Sequence, residues 1–348
     1  MRETVFNTAR PYSAFIGEGV LSLLRGMAPR LIKGALAAVI TDSGVPEAHV
    51  KAALSELSAA GKRTALLTLP AGEGGKTLAG MQTIYSFLYE MGATRADGII
   101  ALGGGVVGDM AGFAAATYLR GVDHINLPTT LIAQTDSAYG GKTGVDLAEG
   151  KNHIGAVYQP RAVICDTSLI KTLDKRQRVC GMGEVIKYGA IADALLLVEA
   201  ASQGESIPGE DIIARCVDIK RSFVEADEHD NGARHVLNFG HTIGHAIEAA
   251  SGYKTSHGQA VTYGMLAAVK LGESMGITAP TVFARLENAA QASGLDTDFM
   301  PLLPSALPLI ARDKKSDGSH IDMILLEDIA RPVRKKLTAE QIAALLTC

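Results

Sequence analysis

The sequence predicts an α/β fold with a parallel-sheet domain over residues 1–169 and a mostly helical C-terminal domain over residues 170–348. Two observations support this expectation. In the first half, short apolar segments without polar alternation are separated by helical segments, which is typical of a parallel sheet covered on both faces. Beyond about residue 170, long helical patterns predominate. We therefore expect a Rossmann-like first domain and a helical second domain.

The individual elements follow from the same patterns. Five compact apolar segments are the predicted strands of the first domain: residues 35–41, 64–69, 98–102, 124–127 and 162–165. A helical segment over residues 76–92 ends at Gly92, a typical helix C-cap residue. The helical patterns of the second domain cover residues 183–201, 210–228, 239–250 and 257–276. One late segment, residues 320–328, has strand character.

Composition and charge exclude several classes of protein. Hydrophobic residues make up 47% of the chain and charged residues 20%, which indicates a folded protein rather than a disordered one. A formal net charge of −4 provides no basic field for nucleic acid or an acidic membrane. The N-terminal residues lack a secretory signal pattern, and no apolar run is long enough to span a membrane. Four widely spaced cysteines without a CxxC pair fit a reducing cytoplasm.

A run of three glycines, Gly103, Gly104 and Gly105, lies between a predicted strand and a predicted helix. Glycine lets the backbone approach a pyrophosphate closely, and a helix N-terminus stabilises its negative charge. The run does not match the GxGxxG fingerprint, so a turn without a ligand fits equally well. Asp42, at the end of the first predicted strand, suits either a ribose contact or a simple turn cap.

Three histidines are closely spaced in the second domain. His241 and His245 are four residues apart in a helical pattern and so share one face. His257 begins the next helical segment. Together with a carboxylate from elsewhere, such imidazoles suit Zn²⁺ or a similar ion, so the second domain is predicted to bind metal. Structural or surface histidines are the alternative, and the spacing alone does not identify the ligands.

Basic residues recur in glycine-rich segments: Arg120, Lys142, Lys151 and Lys187. The segments QTDSAYGGKTGVD and GKNHIGA are interpreted as loops of the kind that hold a ligand. Such residues can bind phosphate or carboxylate groups of a ligand. The simpler interpretation is that they are solvated charges on the surface. The absence of a GxxxxGK[ST] motif gives no support to nucleotide triphosphate hydrolysis.

Seven segments, in this order, resemble the 3-dehydroquinate synthase family. They are GGGVVGDMAGFAAATYLRGV, PTTLIAQTDSAYGGKTGVD, KNHIGAVYQP, GMGEVIKYG, LNFGHTIGHAIE, HGQAV and RDKKSDG. They span residues 103–318. One such segment is modest support, but seven in order are specific.

The resemblance implies a role for each matching residue. Zn²⁺ or Co²⁺ would be bound by Glu184, His241 and His257, with His245 as a substrate contact. The residues implied for NAD are Asp42, Glu73, Lys76, Gly103, Gly104, Gly105, Asp109, Thr129, Thr130, Lys142, Lys151 and Asn152. Those implied for the substrate are Arg120, Asp136, Lys142, Lys187, Lys220, Arg234, Asn238 and a lysine of the Lys314–Lys315 pair, with Lys314 favoured.

The resemblance also implies the reaction. The family converts 3-deoxy-D-arabino-heptulosonate 7-phosphate to 3-dehydroquinate and phosphate in the shikimate pathway. The implied reaction begins with transient oxidation by NAD and continues with phosphate elimination, reduction and an intramolecular aldol step. Because NAD is regenerated, the net reaction is an elimination with ring closure. The substrate's own phosphate would assist proton removal, while Arg120, Lys142 and Lys187 hold it. A homodimer is the implied assembly.

The chain departs from the family pattern at Gln259 and Asp230, where glutamate is common, at His153, where methionine is usual, and at Tyr139, where a small aliphatic residue is common. None of these departures removes an expected ligand.

The closest alternative function is that of another sugar phosphate cyclase, such as a 2-deoxy-scyllo-inosose synthase. A second alternative, from a different class of enzyme, is a metal-dependent alcohol or glycerol dehydrogenase. A non-catalytic NAD-binding protein is disfavoured because every expected metal ligand is present.

Overall fold

The computed structural model describes residues 1–148, 150–310 and 320–347. Contacts between residues divide the chain into two compact units. The first contains Met1–Leu173 together with Gly209–His229, and the second contains Asp174–Pro208 together with Asp230–Cys348. The sequence places residues 209–229 in the helical second domain, whereas the structure includes them in the first unit. Whether the two functions divide at residues 169 and 170 stays a prediction.

The strands are β1 (Arg2–Phe6), β2 (Tyr12–Gly17), β3 (Leu36–Asp42), β4 (Arg63–Leu69), β5 (Gly98–Gly103), β6 (Asp123–Pro128), β7 (Lys142–Leu147), β8 (Gly150–Val157), β9 (Ala162–Asp166), β10 (Ile321–Asp328) and β11 (Arg331–Leu337). The helices are α1 (Leu24–Leu31), α2 (Glu47–Ala59), α3 (Leu78–Glu90), α4 (Gly105–Thr117), α5 (Lys175–Ala192), α6 (Ala194–Gln203), α7 (Glu210–Ala226), α8 (His241–Ala250), α9 (His257–Ser274), α10 (Thr281–Ala292), α11 (Leu303–Ile310) and α12 (Ala339–Thr347).

A seven-stranded sheet in the order β1-β2-β9-β6-β5-β3-β4 forms the core of the first unit. Only β1 is antiparallel to its neighbour, and the other pairs are parallel. Successive residues of a strand face opposite sides of the sheet, so Val39 packs with α1 and α2 while Ile40 packs with α3 and α4. Both side chains are fully buried, which explains the absence of polar alternation. The predicted α/β fold is confirmed.

The segments interpreted as ligand-holding loops contain strands: GKNHIGA lies within β8, and residues 142–146 of QTDSAYGGKTGVD lie within β7, so the prediction of loops there was wrong. Whether these segments hold a ligand stays a prediction. β7 and β8 form an antiparallel hairpin in which Gly144 pairs with Gly155. A Cβ at Gly155 would lie 2.0 Å from the carbonyl oxygen of Thr143, so the two backbones approach too closely for a side chain. The glycines that suggested loops therefore permit strand contact. The strand predicted at residues 320–328 is confirmed as β10, which pairs with β11.

Asp97 links the beginnings of β3 and β5. Its carboxylate accepts hydrogen bonds from Leu36 N–H at 2.8 Å and from the N–H and hydroxyl of Thr94 at 2.8 and 2.7 Å. Burial raises the pKa of Asp97, but these hydrogen bonds outweigh burial and leave the pKa below its usual range. The charged form is therefore the form that stabilises the sheet.

Replacing Asp97 with Asn is expected to lower the free energy of unfolding by about 1–3 kcal/mol near pH 7, because a charged hydrogen-bond acceptor is lost. A depressed pKa means that this stabilisation is complete above about pH 4 and is lost as pH falls through the lowered pKa. Urea unfolding of both proteins at neutral and acidic pH measures the effect. A stability difference that does not shrink in acid would contradict a role for the charge.

The second unit is built around close contacts at glycines. A Cβ at Gly258 of α9 would lie 1.8 Å from the carbonyl oxygen of Cys180 on α5. One at Gly264 of α9 would lie 1.9 Å from the carbonyl oxygen of Gly240, the residue that precedes α8. These three helices therefore meet backbone to backbone, which brings their side chains close together. Across residues 1–148, 150–310 and 320–347, no helix is both long enough and apolar enough for a membrane crossing.

Candidate active site

The three predicted metal ligands meet in the second unit, one on each of the closely packed helices. Glu184 lies within α5 and is fully buried, whereas His241 and His257 are the first residues of α8 and α9. Glu184 Oε1 lies 3.4 Å from His257 Nε2 and 3.7 Å from His241 Nε2. One potential ligand atom from each of the three residues lies within 4.8 Å of the others.

This spacing fits a divalent ion. Ligand atoms about 2.0–2.2 Å from a tetrahedral metal lie about 3.3–3.6 Å from one another. The separations from Glu184 Oε1, 3.4 and 3.7 Å, lie within or close to this range. Two imidazole nitrogens and one carboxylate leave a position open, which is typical of catalytic sites, and Zn²⁺ and Co²⁺ both accept such donors.

The remaining carboxylate oxygen of Glu184 contacts a cation. Glu184 Oε2 forms an ion pair with Nζ of Lys187, which is three residues further along α5 and also buried. The Lys187 ammonium lies 5.0 Å from the centroid of the Tyr188 ring. Because one oxygen faces Lys187 and the other faces the histidines, the carboxylate has a defined orientation.

His257 contacts two carboxylates, one through each ring nitrogen. Burial lowers the pKa of His257, but hydrogen bonds and charge interactions with Glu184 and Glu248 outweigh it and raise the pKa to about 10. Since only a deprotonated ring nitrogen can bind a metal, an ion would displace a proton here. Glu248 was missed by the sequence analysis. Its signal is the spacing of GHTIGHAIE, which puts a carboxylate seven residues after His241 on the same helix.

The other predicted substrate residues of the second unit lie near the same chain segments. The ring centroid of His245 is 5.3 Å from that of His241 and 5.9 Å from that of His257. Arg234, which is buried, and Asn238 lie in a 3-10 turn that ends just before α8. Lys314 and Lys315 lie outside the described residues.

The glycine turn of the first unit is built as predicted. Gly103 ends β5, and Gly105 begins α4. The Thr129 N–H donates to the carbonyl oxygen of Gly103 at 2.9 Å, and a Cβ at Gly104 would lie 3.1 Å from Thr130 Cγ2. The structure thus brings the glycines and both threonines together beside a helix N-terminus.

A second group of predicted NAD residues forms a network in the same unit. The buried ammonium of Lys76 donates to Asp109 Oδ2 and to Asn152 Oδ1, each at 2.6 Å. Lys151 Nζ lies 2.7 Å from Glu73 Oε2. Pairing with nearby residues holds these side chains in defined orientations.

The remaining predicted residues of the first unit are Asp42, Lys220, Asp136, Arg120 and Lys142. Asp42 accepts a hydrogen bond from Gly44 N–H at 2.7 Å, so it caps a turn here. Lys220, on α7, donates two hydrogen bonds to Asp136. The acceptors are the backbone carbonyl oxygen of Asp136 at 2.6 Å and its carboxylate at 2.9 Å. Arg120 has a left-handed φ of 65°, and Lys142 is the exposed first residue of β7.

The structure shows the surroundings of three of the four departures from the family pattern. Gln259 donates to the carbonyl oxygen of Asp296 at 2.7 Å and accepts from Asp296 N–H at 3.0 Å. A glutamate cannot make the donating bond, so Gln259 serves a loop contact. Tyr139 is buried, and its ring centroid lies 5.8 Å from that of Phe6. Asp230 has a left-handed φ of 59°, and its carbonyl oxygen lies 2.8 Å from His235 Nε2. Nothing in the structure explains His153.

Comparison with known proteins agrees with this geometry. Residues 66–180 match the N-terminal domain of 3-dehydroquinate synthase, and residues 181–316 match its C-terminal domain. The chain is 40% identical over 343 residues to a 3-dehydroquinate synthase of Streptococcus sanguinis, covering 97% of each chain. It is 42% identical over 336 residues to one of Clostridium acetobutylicum, covering 95% of this chain and 94% of the relative.

A solved structure extends the comparison. A 2-deoxy-scyllo-inosose synthase bound to carbaglucose-6-phosphate, NAD⁺ and Co²⁺ is 28% identical, with a TM-score of 0.88 and 99% coverage of both chains. The chain belongs to the 3-dehydroquinate synthase family.

Proposed function

We propose that the chain catalyses the conversion of 3-deoxy-D-arabino-heptulosonate 7-phosphate to 3-dehydroquinate and phosphate, as a carbon–oxygen lyase of the shikimate pathway. The observation that carries this proposal is the donor set of Glu184, His241 and His257, at distances suited to a divalent ion. The set occurs in a chain about 40% identical over nearly its whole length to curated relatives of that name.

The metal would be held by Glu184, His241 and His257, and NAD by residues of the first unit. Bound there, the metal would supply polarisation of substrate oxygens, and NAD would supply reversible hydride transfer. The chain's own contribution is positioning. The N-terminus of α4 offers backbone N–H groups and the positive end of a helix dipole to a pyrophosphate. Thr129 and Thr130 lie beside this turn, and Lys76, Asp109 and Asn152 add a preorganised network.

Asp42 and the Glu73–Lys151 pair complete the proposed NAD contacts. The carboxylate of Asp42 ends β3 at the carboxyl edge of the parallel sheet, where ligands of such sheets usually bind. Its hydrogen bond to Gly44 uses one oxygen and is compatible with a ribose contact through the other. Lys151 and Glu73 form an ion pair at 2.7 Å, and both side chains would contact the cofactor.

Two of the proposed substrate contacts, Lys187 and Lys220, are cations held by neighbouring oxygens. Lys187 is held by Glu184, and Lys220 is held by two oxygens of Asp136. Fixed cations stabilise a departing phosphate without reorganising at the moment of reaction. Arg120, Lys142, Arg234, Asn238, His245 and Lys314 are proposed as further substrate contacts.

The assay that tests this function is phosphate release from 3-deoxy-D-arabino-heptulosonate 7-phosphate with catalytic NAD⁺ and added Zn²⁺. Stoichiometric phosphate without accumulating NADH, abolished by a chelator, is the expected result. Release from glucose 6-phosphate instead would favour the inosose branch, to which the chain has lower identity, 28% against 40%. Net NADH formation with a polyol would make the chain a dehydrogenase.

We also propose a cytoplasmic homodimer. The cytoplasm is supported by Cys165, Cys180 and Cys216, none of which forms a disulfide within the described residues. The dimer rests on the family resemblance. Light scattering coupled to size-exclusion chromatography tests it, and the mass of one chain at micromolar concentration would refute it.

A further inference from the structure

The carboxylate of Glu248 lies behind the proposed metal site, on the far side of the His257 ring. Glu248 is on α8, and 3% of the residue is exposed. Its Oε2 lies 3.3 Å from His257 Nδ1, whereas the other ring nitrogen, Nε2, lies 3.4 Å from Glu184 Oε1. The His257 imidazole is thus held between two buried carboxylates, one on each side.

When one ring nitrogen of a histidine binds a metal through its lone pair, the other ring nitrogen carries the hydrogen. A neutral imidazole has one N–H and one lone pair, and the nitrogen with the lone pair is the ligand. A carboxylate can only accept, so Glu248 selects the form with hydrogen on Nδ1. With a metal bound, the lone pair of His257 would then lie on Nε2, the nitrogen that faces Glu184.

His241 has a matching arrangement with a different acceptor. Its Nδ1 lies 3.2 Å from the carbonyl oxygen of Phe239, and its Nε2 lies 3.7 Å from Glu184 Oε1. A backbone carbonyl is also only an acceptor, so it selects the same form of the ring. Both histidines therefore direct Nε2 toward the same carboxylate oxygen, each oriented by an acceptor behind it.

A second interpretation of the same residues is a separate metal site. His245, Glu248 and His257 also offer ligand atoms within 4.8 Å of one another. His257 would then have to bind two ions, which requires a ring without any N–H. The contact geometry favours one ion, because a buried carboxylate at hydrogen-bond distance from Nδ1 is the usual partner of a metal-binding histidine.

We infer that Glu248 is a positioning residue that orients His257 for metal binding and is not itself a ligand. This inference rests on the proposed function, since it presupposes a metal at Glu184, His241 and His257. Partners of this kind typically contribute about 10–100-fold to metal affinity. Glu248→Gln keeps the shape of the side chain and removes its charge, whereas Glu248→Ala removes the acceptor.

The test is titration of the metal-free protein with Co²⁺, following visible absorption and stoichiometry, for wild type and both variants. We expect one Co²⁺ per chain throughout, with affinity about 10–100-fold weaker in Glu248→Ala, a smaller loss in Glu248→Gln, and altered absorption bands. Glu273→Gln makes the same chemical change on α9 about 24 Å along the helix from His257, and should bind Co²⁺ like wild type. Thermal unfolding of each metal-free protein reports any general loss of stability.

The outcomes separate the inference from the proposed function. Unchanged Co²⁺ affinity in both Glu248 variants would overturn the inference and leave the metal site intact. Two Co²⁺ per wild-type chain, with one lost in Glu248→Ala, would make Glu248 a ligand and also overturn it. A wild-type chain that binds no Co²⁺ would overturn the proposed function and the inference together.

Discussion

Replacing His257 with Ala is expected to abolish metal binding and to lower turnover by at least about 10³-fold, while the first unit stays folded. His257 supplies one of three ligand atoms, and two ligands do not hold an ion firmly. Loss of metal polarisation costs several kcal/mol of transition-state stabilisation, which corresponds to this factor. The seven-stranded sheet contains none of these ligands and should keep its stability.

Metal content by elemental analysis and phosphate release measure this result. NAD affinity, determined by fluorescence titration, reports whether the first unit is intact. His49→Ala is a suitable control, because His49 lies on α2 and contacts Thr172 rather than the donor set. Full activity of His257→Ala in metal-depleted buffer would refute the ligand assignment.

The second large effect is expected for Lys142→Ala, which should cut turnover about 10²–10³-fold while changing NAD affinity little. A cation that stabilises the departing phosphate acts mainly in the transition state, and loss of one preorganised donor has this magnitude. The side chain begins β7 and is exposed, so its removal should not disturb the core.

Turnover from phosphate release and the NAD dissociation constant, measured on the same preparation, distinguish two roles for Lys142. An equal loss in both would assign it to the cofactor, and an unchanged rate would remove it from the phosphate site. Lys171→Ala is the matched control, because Lys171 is an exposed lysine of the same unit that pairs with Glu18.

Sequence patterns predicted the elements that depend on the spacing of neighbouring apolar and polar residues. The fully buried strands showed as continuous apolar segments, and the four-residue spacing of His241 and His245 correctly indicated one helix face. Glycine was harder to interpret, because one residue serves both loops and close backbone contacts. Gly144 and Gly155 belong to paired strands, and only the pairing reveals why neither can have a side chain.

Contacts between distant parts of the chain were not predictable from spacing. Glu184 joins His241 and His257 only because α5, α8 and α9 pack at glycines, so family resemblance was needed to name it. Glu248 becomes meaningful once the N-terminus of α9 is known to lie beside it. The roles of the NAD and substrate residues stay predictions that the variants above can test.

The assignment of α7 to the first unit has a consequence for the order of folding. Ribosomes make α5 and α6, which belong to the second unit, before they make α7. The first unit therefore lacks α7 at a stage when α5 and α6 of the second unit have already been synthesised. Domains usually fold one after another during synthesis, whereas here residues 174–208 of the second unit are made before the chain of the first unit is complete. A nascent chain that stops before residue 209 would contain Asp136 without its partner Lys220, which lies on α7.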